Sequence, residues 1–289
     1  MSGMTELALG LVLASAVLHA TWNYHAKRVG GGAGFIWLAT MIQAVVYAPL
    51  AAIVILRDHP TIGLPELIAI VGSAALHVGY FLLLARGYRT GDLSLVYPLA
   101  RGTGPMLSTA AAIVLLGERP SPLSLGGALL IGVGVFVLTG DPRKFRQSGA
   151  GTAVVYALLT GMVIASYTLW DKHAVATLLI PPLLYDWANG VGRAVLLAPY
   201  ALNHRQEVAR HWREHRKAAV MVGLLSPLSY ILVLTALTFS PVSTIAPARE
   251  ISILIGALLG AKLLSEGDTL RRLAAAAVMM TGVVFLALG

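Results

Sequence analysis

Two arginines stand at matching depths inside apolar stretches. Arg101 lies in the run 93–116 and Arg249 in the run 241–264, each eight residues in. Eight helical residues span about 12 Å, close to the middle of a hydrocarbon layer roughly 30 Å thick. A guanidinium there costs at least about 2.5–3.5 kcal/mol on insertion scales. Two chemical roles offset such a cost. Either each arginine donates to protein acceptors such as freed carbonyls or Glu250 and locks the bundle, or it faces a polar path, where its fork suits carboxylate and phosphate-like groups. Pro98 and Pro247 precede the arginines by three and two residues. They lack an N–H and free a carbonyl one turn earlier. Interrupted helices are therefore expected at both places, which membrane depth tolerates where they are buried or line a cavity.

Other polar residues converge on the same depth. Helical spacing puts Ser15, His19, Trp22 and Asn23 on one face, and Tyr167, Trp170 and Asp171 on one face of a later stretch. Histidine carries a proton near neutral pH or hydrogen-bonds a ligand, whereas tryptophan is equally at home as an interfacial anchor. Tyr80 (on a stripe with His77), Tyr97, Tyr230 (near Ser226) and Glu250 complete the candidate binding set with Arg101 and Arg249. His19, Asp171 and Glu250 are the candidates for proton coupling. Asp186 and Arg193, seven apart with Asn189 between, share a face and read as a buried pair or part of a gate. Glu118 and Glu266 end helices, where the macrodipole disfavours them; capping the next helix or pairing with a loop arginine is their expected job. Pro227 is expected to kink its helix.

The chain has no Gly-x-Ser-x-Gly, His-Glu-x-x-His or Walker motif. It is read as not an enzyme, with no cofactor and no metal. The absence of cysteine excludes disulfides and thiolate sites.

The elements that must position these residues follow from composition. Of 289 residues, 57% are apolar and 12% charged, with mean hydropathy +0.78, about half the charge of a soluble domain. Apolar runs predict ten spans, at about 6–27, 33–56, 65–86, 93–116, 121–139, 150–171, 179–201, 218–239, 241–264 and 269–288. The fold class is an all-α polytopic membrane protein. Pro122 and Pro181 suit first-turn positions and Ser121 an N-cap.

A shift of 148 residues brings Trp22 onto Trp170, Asn23 onto Asp171, His25 onto His173, Arg101 onto Arg249, Glu118 onto Glu266 and Gly134 onto Gly282. The chain is thus two five-span halves, 1–140 and 141–289. An odd number of spans per half inverts the second, giving a 5+5 inverted repeat.

Of 21 Lys and Arg, 15 fall in the loops after spans 1, 3, 5, 7 and 9 and three (Arg57, Arg119, Lys172) on the opposite side. The positive-inside rule places the rich side in the cytoplasm and both termini outside. Net charge of +8 reflects this orientation and not nucleic-acid binding. The basic stretch 202–217 is too polar for lipid and reads as a cytoplasmic loop or a helix at the headgroups.

Gly91–Leu138, with a helix ending Leu116-Gly117-Glu118-Arg119 before a Gly-rich helix, and its weaker copy ending Leu264-Ser265-Glu266-Gly267, resemble the ten-helix, two-repeat EamA-type branch of the drug/metabolite transporter superfamily. The resemblance implies a carrier of the bacterial cytoplasmic (inner) membrane, working by alternating access, with a cavity lined by helices 1, 3, 4, 6, 8 and 9. Three interior arginines against Asp186 and Glu250 leave a net +1, which favours a small anionic or zwitterionic metabolite: an amino acid, an organic acid or an aminophosphonate-like solute. Efflux of lipophilic cations is the alternative within transport; a membrane-embedded enzyme or a non-transporting subunit is the alternative outside it. The expected partners are this solute, the bilayer and protons as a coupling ion, in a monomer or homodimer. Small-residue seams Ser108-x-x-x-Ala112 and Gly256-x-x-x-Gly260 are expected to set Arg101 near Gly256 and Arg249 near Ser108.

Overall fold

The computed structural model describes residues 4–29, 32–90, 93–139, 150–255 and 269–289. Among them the chain is helical, in α1 Glu6–Val29, α2 Ala33–Asp58, α3 Leu64–Thr90, α4 Leu93–Leu115, α5 Pro122–Thr139, α6 Ala150–Ala176, α7 Pro182–Asn203, α8 Arg205–Phe239, α9 Val242–Ala248 and α10 Thr269–Leu288, with a further helical stretch over 251–255. Five are long and apolar enough to cross a membrane outright: Glu6–Ala26, Ala33–Asp58, Leu64–Thr90, Gly151–Ala176 and Arg205–Phe239. The others are shorter or carry buried polar residues.

Helix starts follow local chemistry. Pro122 is the first residue of α5, and the Ser124 N–H donates to Ser121 Oγ at 3.0 Å, the expected N-cap. In α7 the first-turn proline is Pro182, and Pro181 is the cap. Helix α8 includes Pro227, the residue expected to kink it, and its non-helical residue is His215, φ −129° and ψ 22°. The bend therefore falls where the basic segment meets the apolar span.

Much of the packing follows a pseudo-two-fold exchange of α1–α5 with α6–α10, the extensive α4–α6 contact being an exception among the described residues. Helix α1 lies on α8 as α6 lies on α3, and α2 lies on α8 as α7 lies on α3. The pairs α2–α7, α4–α9 and α5–α10 map onto themselves. Between α5 and α10 backbones nearly touch. A Cβ on Gly127 would come within 2.6 Å of the Gly282 carbonyl, and one on Gly282 within 2.7 Å of the Gly127 carbonyl. Gly134 faces the Met279 side chain, and a Cβ on it would lie 3.3 Å from the Ala275 carbonyl. Gly127 with Gly282 and Ala275 with Gly134 are exchange mates at the 148-residue shift, so one seam of small residues serves both halves. The fold is the expected inverted repeat. The Gly256–Gly260 seam and Glu266 lie outside the described residues.

Candidate functional site

The ninth helix breaks at its arginine. Glu118, in the α4–α5 linker, accepts the Val242 N–H at 2.7 Å and the Ser243 N–H at 2.9 Å, holding the start of α9. The carboxylate thus caps a helix in the other half of the molecule instead of the adjacent α5. Helix α9 ends at Ala248. Arg249 and Glu250 form a turn, and helix resumes over 251–255. Short-range bonds carry the turn: Glu250 N–H to Pro247 O at 3.0 Å, Ser252 N–H to Arg249 O at 3.2 Å and Ile253 N–H to Glu250 O at 2.9 Å. Pro247 cannot donate back to the preceding turn, which weakens the helix just there. The matching break expected at Pro98 does not form. Helix α4 is continuous past Arg101, and Pro105 sits inside it.

The two arginines have different surroundings. Arg101 is 6% exposed and its Nη2 lies 3.1 Å from Glu250 Oε1. This carboxylate, on the residue after Arg249, offsets the cost of burying the guanidinium; the expected place of Arg101 beside Gly256 lies outside the described residues. The stripe Arg101, Pro105, Ser108 and Ala112 is buried as expected. Arg249 is half-buried, its guanidinium 5.2 Å from the centroid of the Tyr230 ring. Among the described residues no carboxylate lies within 4.0 Å of it.

Around Tyr230 the rings of three helices form a cage. His77 stacks on Tyr167 at 4.3 Å between centroids and meets the Tyr230 ring edge-on at 5.5 Å. Tyr80 meets Tyr167 edge-on at 6.1 Å. His77 is fixed by Nδ1, 2.9 Å from the Ser73 carbonyl of the preceding turn. A guanidinium over such rings is held by their quadrupoles.

Beneath the cage lies Asp171, fully buried although near the end of α6. Its Oδ1 accepts Ser73 Oγ–H at 2.6 Å and Tyr185 O–H at 2.7 Å, its Oδ2 accepts Tyr230 O–H, and His77 Nε2 is 4.0 Å from Oδ2. Three charge-assisted hydrogen bonds stand in for lost hydration. Asn189 Nδ2 donates to Ser73 Oγ, extending the network to α7. Tyr230 thus separates two opposite charges: Arg249 on its face and Asp171 at its hydroxyl. With Asp171 inside, the interior carries three arginines against three carboxylates, which corrects the net +1 read from the sequence.

A second polar centre joins α2 to α7. Gln43 Nε2 donates to Asp186 O at 3.0 Å and Oδ2 at 2.8 Å, and its Oε1 accepts Arg193 Nη2 at 3.1 Å. Asp186 and Arg193 do share a face, but the amide stands between them. Gly190 makes the room, since a Cβ there would lie 2.6 Å from the Gln43 amide.

Of the sequence candidates, Arg101, Arg249, Glu250, Tyr80, Tyr167, Tyr230 and Asp171 come together. His19 lies within electrostatic reach of both arginines and meets Trp22 edge-on at 4.8 Å. Asn23 Nδ2 donates to the His19 carbonyl at 2.9 Å, so its amide serves its own helix. The two tryptophans diverge. Trp170 Nε1 donates to Ala69 O at 2.8 Å, and its ring lines an open groove of about 510 Å³ between α3 and α6 with Gly72, Gly79 and Ser166. Trp22 packs on the α2–α8 cluster, and its Nε1 is buried with no partner among the described residues. The Tyr97 side chain lies outside the described residues. Gln43 and Tyr185 were not anticipated. Their only sequence signal is polarity inside an apolar span, and it names no partner across the bundle.

The EamA-like transporter family model matches residues 6–140 and again 151–288. No curated protein gives a significant match. A protein of known crystal structure is similar with a TM-score of 0.77 at 16% identity, over 96% of this chain and 95% of that one, a likeness of fold.

Proposed function

Because the chain belongs to the EamA-like transporter family, we propose that it is a secondary transporter of a small zwitterionic or anionic metabolite in the cytoplasmic membrane, working by alternating access. The carrying observation is Arg249. It is a guanidinium at a helix break, over Tyr230 and without a carboxylate within 4.0 Å among the described residues. A substrate carboxylate or phosphonate supplies the missing anion. Broken helices at mid-membrane bind substrate in other inverted-repeat carriers. In this reading Arg101 and Glu250 hold the bundle beside the site.

The tyrosine cage also suits an organic cation, which keeps cation efflux as the second reading. Two contacts weigh against it: Arg249 already covers Tyr230, and Asp171 already accepts three bonds. Proton coupling, if substrate moves against its gradient, falls to Asp171, Glu250 or His19. Both termini lie outside by the charge count.

A thermal-shift screen of amino acids, organic acids and phosphonates, followed by counterflow into liposomes with the best hit, tests the proposal. Stabilisation and exchange of a zwitterion or anion are expected. Exchange of cationic dyes abolished by Glu250→Gln and untouched at Arg249 would establish the second reading instead. No exchange of any solute in a broad panel would sink transport altogether.

A further inference from the structure

Helix α8 has 35 residues, about 52 Å of helix against a hydrocarbon layer of roughly 30 Å. Its last two-thirds fill the span. Its first third, before the bend at His215, follows α7 after a single linking residue, His204, and so stays at the face where α7 emerges. This segment has two unlike sides. Glu207, Val208 and His211 turn inward onto the start of α2: a Cβ on Gly34 would lie 2.8 Å from Glu207 Oε1, and His211 meets Phe35 at 5.8 Å. Arg205, Arg210, Trp212 and Arg213 are exposed, Trp212 by 45%, and Arg216 and Lys217 continue the exposed charge past the bend. Glu214 is the one carboxylate on this side. Cations flanking an exposed indole, on a helix confined to the membrane face, match an anionic headgroup layer.

We infer that the outward side of residues 205–217 is a binding surface for anionic phospholipid of the adjacent leaflet. The bilayer is the only polyanionic surface that the bend brings alongside, and the indole suits its interface. Orientation during insertion needs the charge alone; it does not need the indole or the partition of Glu207 to the inner side. Lipid binding here does not depend on what the central site carries.

Native mass spectrometry of the full chain, released from vesicles of phosphatidylglycerol and phosphatidylcholine, reads it directly. Retention of phosphatidylglycerol over phosphatidylcholine is expected, collapsing in 0.5 M salt, with roughly fivefold weaker association per cation removed in R205Q/R210Q/R213Q. Equal retention of both lipids, or an unchanged preference in the variant, overturns it. Should the variant not fold, photo-crosslinking of phosphatidylglycerol to the wild-type chain decides: adducts within 205–217 support the surface, and adducts only elsewhere overturn it.

Discussion

Arg101 and Arg249 occupy the same place in two copies of one design, yet they are built in differently. Arg101 sits in an unbroken helix, buried and paired with Glu250. Arg249 sits at a break, half-buried, with its guanidinium over the Tyr230 ring. Asn23 and Asp171 diverge likewise: the amide folds back on its own helix, while the carboxylate organises three other helices. Equal residues at matching places thus take unlike partners in the two halves.

The largest expected effect tests the scaffolding half. Arg101→Ala leaves Glu250 charged and unpaired in the interior, a loss of about 3–5 kcal/mol, seen as a collapse in yield and melting temperature. R101Q/E250Q should regain much of it, since removing both charges is far cheaper than removing one. Wild-type melting of the single variant would dissolve the contrast.

Arg249→Lys tests the other half. The melting temperature should hold, while affinity for the substrate found by thermal shift falls about 10–100-fold, the equivalent of about 1.5–3 kcal/mol in charge-assisted hydrogen bonding. Loss of folded protein here would make the two arginines alike after all.

Glu118→Gln should cost about 1–2 kcal/mol, measured by thermal melting, because a neutral amide cannot accept both N–H groups that open α9. An unchanged melt would mean that the short helix needs no cap from the other half.

The smallest contrast is the sharpest. Trp170→Phe forfeits the bond to Ala69 O and should lose about 1 kcal/mol, whereas Trp22→Phe relieves a buried N–H without a described partner and should be neutral or stabilising. Equal effects in melts would argue that ring volume alone matters at both sites.

Periodicity and charge make the spans, the repeat, the inversion and both arginines legible in the amino-acid sequence. Proline marks a real break at Pro247 and none at Pro98, because a missing N–H weakens a helix without deciding whether its neighbours hold it straight. Asp171 stands near a helix end in the sequence, which does not tell that Tyr185 and Tyr230 cover it. A helical stripe tells which way a side chain points but not who stands opposite. That is why Gln43 between Asp186 and Arg193, the destination of Glu118 and the His77–Tyr167 stack emerge only from the packed bundle.

The glycine seam of α5 and α10 has a mechanical reading. Gly127 against Gly282 and Gly134 against Ala275 are two contacts seven residues apart on each helix, about 10 Å along the axis. Two such fastening points define a line. Sliding along it would drive backbone carbonyls into neighbouring Cα atoms, so these helices resist shear and act as a fixed strut. The broken α9 packs against both α4 and α5, so it stands beside that strut.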